Sequence, residues 1–312
     1  MRNKGVLVLL ILAQAPSLAW ASACCARAAA APFLLLGEDQ AQVSWGVSQS
    51  ELVTRVRPDG RRISQRPGYV DRIQNSRLDV SFLLSDRWQM GLTLPWVRSS
   101  VERTTKWDSF SGLGDLKVSL GFEVLPLWSY SSWKPQGFLF TSVSLPTGRS
   151  AYESQSPVAA DVAGTGVVSV AFGGLFLKRW HFWDAFLLQE VHYSFPRTQL
   201  MTDESMSFFP GWGGSLGLGA GYSPGGGNLR FGMRLMPRAD QGVLRKVESA
   251  FGVNRTEDPW MVSVDWGVDA SYLLGSSDTL MLSFTDQTLL GPAQNSNLSR
   301  MIALSYQHRW PR

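Results

Sequence analysis

The chain carries 29 basic and 25 acidic side chains in 312 residues, a formal net charge of +4, with a mean hydropathy of −0.05. Outside the N-terminus no run of about eighteen apolar residues exists, which excludes helical membrane spans, yet 13 Trp and 16 Phe exceed what an ordinary soluble domain uses. With a small net charge and no nucleic-acid motif, a nucleic-acid partner is not expected, and no cofactor is implied.

Arg2 and Lys4 precede an apolar run from Val6 to Ala13, and Ala21-Ser22-Ala23 supplies small residues for cleavage. This reads as a secretory signal over residues 1–23 rather than a membrane anchor. Losing its two basic residues lowers the net charge from +4 to +2. Cys24 and Cys25 follow directly, and three readings stay open: a lipid on Cys24, a reactive or metal-binding vicinal pair, or a pair of little consequence. Lipidation lacks the Leu usual three positions before the Cys, and two adjacent thiols without nearby His cannot complete a four-ligand metal shell.

A segment over residues 24–41 leads to Gln42, from which the sequence alternates with a period of two. After a Gln42 to Arg57 strand, Leu78, Val80, Phe82 and Leu84 oppose Arg77, Asp79 and Ser81. Trp88, Met90, Leu92, Leu94 and Trp96 oppose Gln89, Gly91 and Thr93, and Leu116 to Val124 oppose Asp115, Lys117, Ser119, Gly121 and Glu123. The pattern continues in Leu216 to Tyr222, in Leu229 to Leu235 against Arg230, Gly232 and Arg234, and in Leu280 to Phe284. It is longest in Trp260 to Tyr272, where Trp260, Val262, Val264, Trp266, Val268, Ala270 and Tyr272 share one face and Ser263, Asp265, Gly267, Asp269 and Ser271 the other. At roughly 3.3 Å per residue that segment is about 40 Å long, and a tilt near 40° brings it to about 30 Å of height, the scale of an apolar band with aromatic rims.

The links alternate short and long. Tight ones fall at 85–87, 178–181, 223–228 and 275–278, and long polar ones at 58–67, 99–111, 146–165, 196–210, 237–259 and 288–297. That rhythm belongs to transmembrane barrels, with short periplasmic turns and long external loops. The link from Pro126 to Pro135 breaks it, being long and aromatic where a turn is due. The fold class is therefore all-β: a transmembrane antiparallel up-and-down β-barrel of about twelve strands over residues 42–312, in the outer membrane of a Gram-negative bacterium.

The inward parity places Arg77, Asp79, Asp115, Lys117, Glu123, Arg230, Arg234, Asp265 and Asp269 on the lumen wall, a mixed-sign lining that acts as a selectivity filter if the bore is narrow. In the first external loop Arg57, Arg61 and Arg62, flanked by Arg55 and Arg66, are candidates for lipopolysaccharide phosphates, because guanidinium presents a planar fork of donors; a solvated loop is the alternative. At the C-terminus Ile302, Leu304, Tyr306, His308 and Trp310 alternate with polar or small residues and resemble the closing strand that barrel-assembly machinery recognises, although Pro311 and Arg312 follow the aromatic.

Gly112-Leu113-Gly114-Asp115-Leu116, followed by Leu145-Pro146-Thr147-Gly148, resembles the outer-membrane channel family named after the phenol meta-cleavage degradation pathway. The resemblance implies that the first motif opens a strand at the barrel rim and the second closes the next, in a barrel that passes small, often hydrophobic, solutes; it carries over no functional residue.

A hydrolase reading rests on Glu190, His192 and Ser194, which share one parity, and His192-Tyr193-Ser194 resembles the His-x-Ser of outer-membrane phospholipase A without its following Asn-Gly. Neighbours of like parity stand about 6.7 Å apart, too far for a nucleophile and its base, so a polar lumen wall is the expectation and no catalytic residue is. His181 falls in a turn and His308 at the rim, leaving no metal cluster. Three functions remain: a passive channel for small solutes, a pore-less structural or surface-interaction barrel, and, least supported, a lipid hydrolase. Energised transport is not expected, because no N-terminal region is long enough for a plug domain.

Overall fold

In the computed structural model the described residues are 34–36 and 39–312, apart from 66–67, 104–105, 128–130, 132, 201–203, 226–227 and 250–251. The signal segment, Cys24, Cys25 and Arg66 lie outside them. No helix among the described residues is long and apolar enough to cross a membrane.

Twelve strands form the barrel. They are β1 Asp39–Val56, β2 Val70–Leu83, β3 Trp88–Arg103, β4 Leu116–Leu125, β5 Gln136–Leu145 and β6 Ser169–Trp180. The others are β7 Trp183–Ser194, β8 Gly211–Tyr222, β9 Leu229–Asp240, β10 Met261–Leu273, β11 Asp278–Asp286 and β12 Asn297–Pro311. Each pairs antiparallel with the next, and β12 pairs with β1 from Asp39↔Pro311 to Arg55↔Asn297. Closure satisfies every edge, the condition for exposing strand backbone to hydrocarbon.

Register puts outward residues beside outward residues, as in Trp45↔Leu78↔Leu94 and Leu187↔Leu218↔Leu235. The result is an apolar exterior of exposed Trp45, Leu94, Val191, Leu218, Met233 and Leu304. One part departs from this: Val264 is buried, because the β11–β12 loop folds back over β10 and brings Gly291 against it.

The tight links fall at one end of the barrel, hereafter the turn end: bends at 84–87 and 275–277, and a turn at 181–182, because Lys178 to Trp180 still belong to β6. The link at 223–228 lies only partly within the described residues, and His181 takes φ 26° and Gly275 φ 100°. The link at residues 126–135 lies only partly within the described residues. Trp133 in it is 83% exposed, and Lys178 Nζ donates to the carbonyl of Lys134 at 2.9 Å.

At the opposite, loop end, four of the expected loops contain strands. Arg62–Ser64 folds back on β1 from Val56↔Arg62 to Thr54↔Ser64. Lys106–Leu113 folds back on β3 from Arg103↔Lys106 to Trp96↔Leu113. Arg197–Leu200, Glu204–Phe209, Leu244–Ser249 and Gly252–Glu257 form a four-stranded sheet beyond the barrel, joined through Glu204↔Ser249 to Phe209↔Leu244. These segments escape a reading by alternation because water meets both faces there, so neither face needs to be apolar.

Candidate functional site in the barrel lumen

The lumen is not uniformly polar. Phe138 and Phe140 of β5, Leu175 of β6, Phe186 and Leu188 of β7 and Met236 of β9 form a buried apolar cluster inside the barrel, flanked by Leu177. Inward glycines make the space for its rings: a Cβ on Gly173 would lie 2.4 Å from Phe140 Cζ, and one on Gly219 2.1 Å from Phe186 Cε1. The alternation at Phe138, Phe140 and Leu188 signals this cluster only weakly, since their strands are apolar on both parities.

Chain from the N-terminal segment occupies this wall. Leu34 packs into the cluster and Leu36 against it. The carbonyl of Leu34 accepts from Gln42 Nε2 at 2.8 Å, and the amide of Leu35 donates to Gln89 Oε1. Gly121 opposite Gln89 has no side chain to obstruct Leu34, whose Cδ2 would stand 2.7 Å from a Cβ there. No separate plug domain is needed to put chain inside this barrel. Three leucines do it.

Charged side chains line the lumen at three heights. Toward the turn end Arg230 is 1% exposed, held by Asp184 and Asp269. At mid-height Arg234 Nη2 donates to Thr285 Oγ1 at 2.7 Å, and Arg77 Nε to Asp79 at 2.8 Å, with Thr93 on the second oxygen of Asp79. Toward the loop end Lys117 of β4 lies 3.9 Å from Glu190 of β7, an approach between non-adjacent strands. Asp265 accepts from Gln287 at 2.8 Å, and Glu123, near the turn end, from Gln136 at 2.7 Å.

Glu190 and His192 do come together, but not as a catalytic pair. His192 Nε2 stands 3.1 Å from Asp240 and Nδ1 3.7 Å from Glu190, and among the described residues no hydroxyl is a hydrogen-bond partner of its ring. Arg238 Nε reaches the other Asp240 oxygen at 2.6 Å. Among the described residues no cluster of His, Cys, Asp or Glu suits a metal ion.

Asp115 serves the mouth of the barrel. It accepts from the amides of Gly148 at 3.1 Å and Thr165 at 2.6 Å and from the Thr165 hydroxyl at 2.8 Å. Thr147 Oγ1 donates to the Gly114 carbonyl at 2.6 Å and accepts from the Leu116 amide at 3.0 Å. The Gly-Leu-Gly-Asp-Leu and Leu-Pro-Thr-Gly segments are thus one structural unit that latches the 146–168 loop. Beside it a groove of about 530 Å³ is lined by Phe110, Leu113, Pro146, Arg149 and Gln155 among others, with the Arg149 guanidinium 5.3 Å from the Phe110 ring centre. Within the loop Asp161 is squeezed by burial, which pushes its pKa up, but hydrogen bonds from Ser154, the Gln155 amide and Arg149 outweigh that and hold it at about 2. An Arg197 hydrogen bond likewise lowers that of Glu153.

Of the first-loop arginines, Arg62 donates to the carbonyls of Thr288 at 2.9 Å and Gly291 at 3.4 Å, tying two loops together. Arg61 lies 3.5 Å from Asp59. The Arg57 carbonyl accepts from the amides of Gly60 at 2.9 Å and Asn295 at 3.2 Å.

A closed barrel of twelve antiparallel strands, apolar outside, places the chain in the fold class of outer-membrane β-barrels. No family model and no curated protein matches it. It is similar to the crystal structure of an outer membrane channel from Pseudomonas putida F1, with a TM-score of 0.65 at 14% identity over 88% of this chain and 97% of that one. The toluene transporter TodX from Pseudomonas putida superposes less closely, with a TM-score of 0.47 at 11% identity over 88% and 90% of the two chains. The β domain of the Bordetella autotransporter BrkA gives 0.48 at 13% identity over 86% and 100%. Identities this low define the fold and nothing finer.

Proposed function

We propose that the chain is a passive channel of the Gram-negative outer membrane for small solutes with an apolar body. The observation that carries this reading is the apolar cluster of Phe138, Phe140, Leu175, Phe186 and Leu188 inside the barrel. A water-filled pore has no use for such a wall, whereas an apolar solute gains about 25 cal/mol for each Å² it buries against one. The resemblance to channels for small hydrophobic compounds supports the same class, and the clamped His192 with no hydroxyl partner speaks against hydrolysis. Leu34 to Leu36 rest on the wall as an internal stand-in for solute, so the resting state is of low conductance.

The test is conductance of the full chain in a planar bilayer, wild type against Leu34→Ser/Leu35→Ser/Leu36→Ser. Removing the apolar anchors is expected to raise the open fraction by about tenfold or more, since burial of even one leucine contributes about 1.5–3 kcal/mol and each 1.4 kcal/mol or so is tenfold. Folded protein that conducts in neither form would overturn the channel and favour a pore-less barrel whose outer sheet makes contacts at the cell surface.

A further inference from the structure

At the loop end, the lipid-facing parity of the barrel is charged along one arc only. On β4 to β10 the outward positions there are apolar, aromatic or small, as in Tyr193, Trp212 and Ala239, whereas the arc of β12, β1, β2 and β3 carries Arg300, Glu51, Arg72, Arg98 and Glu102. Arg300 is held by Asp286 at 2.6 Å, and Arg72 lies 3.9 Å from Glu51. Arg98 is exposed and has no carboxylate partner among the described residues.

Register sets these groups in a square. Arg72 is opposite Ser100 and Gln74 opposite Arg98, so the two arginines lie on one diagonal, with Cα atoms about 7–8 Å apart, and two neutral residues on the other, Ser100 and Gln74, whose amide donates to Gln49 at 3.2 Å. One phosphate between them reaches both forks. Glu51 stands on the far side of Arg72 from Arg98. Immediately toward the membrane lie exposed Trp96, Leu94 and Leu113, and Trp96 is fixed by its Nε1 hydrogen bond to Ser111 at 2.8 Å. Eight residues separate Trp88 from Trp96, about 20 Å of height at the usual rise and tilt, so Arg98 and Arg72 fall where hydrocarbon gives way to headgroups.

We propose that this square binds the phosphomonoester of an outer-leaflet glycolipid of the lipid A type, with an acyl chain against Trp96, Leu94 and Leu113. A dianionic headgroup matches two cations better than a phosphodiester does, and Ser100 and Ser109, paired across the same face, suit sugar hydroxyls. A free anion has no counterpart to the apolar strip below. This places the lipid contact on the barrel wall rather than on the first-loop arginines, and it holds whether or not the lumen conducts.

Native mass spectrometry of the full chain in detergent, titrated with bisphosphorylated lipid A, tests it. Wild type is expected to retain one lipid, and Arg72→Gln/Arg98→Gln to bind it roughly tenfold or more weakly. Dephosphorylated lipid A should bind wild type as weakly, and Arg57→Gln/Arg61→Gln should bind like wild type. The heat-dependent shift in gel mobility reports folding of each variant; if the double variant does not fold, Arg98→Gln alone, at an exposed position, is read in the same titration and should bind severalfold more weakly. Equal affinity of folded wall variants and wild type, equal binding of dephosphorylated lipid, or displacement by millimolar inorganic phosphate would each overturn the proposal.

Discussion

Arg230 and Asp184 meet through two parallel hydrogen bonds, Nε to Oδ2 at 2.7 Å and Nη2 to Oδ1 at 2.8 Å, while Nη1 reaches Asp269 at 2.7 Å. The pair spans β8, which lies between their strands and contributes Gly221, where a Cβ would fall 2.2 Å from the guanidinium. Two carboxylates around one buried arginine act as a fixed brace at the turn end, not as a solvated filter.

Arg230→Met should therefore destabilise the barrel instead of altering ion selectivity. It leaves two carboxylates without their cation, a change that costs about 3–5 kcal/mol in buried pairs. The temperature at which folded protein converts to the unfolded gel band should fall, and Arg230→Met/Asp184→Asn/Asp269→Asn should recover most of the loss. An unchanged transition in the single variant would contradict the brace.

Gly219→Ala is expected to displace Phe186 from the apolar wall, because the new methyl would overlap the ring edge and the Met233 carbonyl is 2.9 Å away on the other side. Overpacking of this kind costs about 1–3 kcal/mol. Gly219→Ala/Phe186→Leu should be the more stable of the two variants by thermal unfolding in detergent; the reverse order would mean the ring has room elsewhere.

Asp115→Ala removes the acceptor of three loop hydrogen bonds and should free the 146–168 loop. Trypsin acting on the folded protein in detergent should then cut after Arg149 at least several times faster than in wild type, since local opening governs cleavage. Asp115→Asn keeps one carbonyl acceptor and should fall between. Equal cleavage in all three would show that Thr147 alone holds the latch.

The same loop should loosen in acid. Asp161 titrates at about 2 in the folded loop, below the roughly 3.9 of a free aspartate, so its contribution to stability is full above pH 4 and is lost as pH falls toward 2. Pepsin cleavage within 150–165 should rise over that interval in wild type. In Asp161→Asn it should be high already at pH 4, with little further dependence attributable to this group.

Strand parity makes the architecture legible: the apolar runs at 78–84, 88–96, 116–124 and 260–272 lie in strands apart from Leu84 and Trp260 at their ends, and short links separate them, the one expected at 178–181 falling at 181–182. Legibility failed wherever a partner lies far along the chain. Glu204–Phe209 pairs with Leu244–Ser249, and nothing local in either segment names the other. It failed also inside the lumen, where Phe138 and Phe140 share strands with apolar outward neighbours and Leu34 sits before the first strand. Arg230 was visible as an inward cation from its parity, but its burial required knowing that Gly221 and Gly232 would stand beside it. Asp115 was readable as part of a motif, and its work as a latch only once Thr165 was seen to return to it.

The seam between β1 and β12 has a kinetic consequence. Asp39 and Pro311 are register partners although nearly the whole chain separates them, so the ring cannot shut until its remaining strands are in place. Contacts of such long range make folding slow, and until they form the growing sheet presents two unpaired margins to anything able to pair with them. Closure is thus the step at which this chain is most exposed to pairing with the wrong partner, and the safety of the finished barrel depends on how briefly those margins stay open.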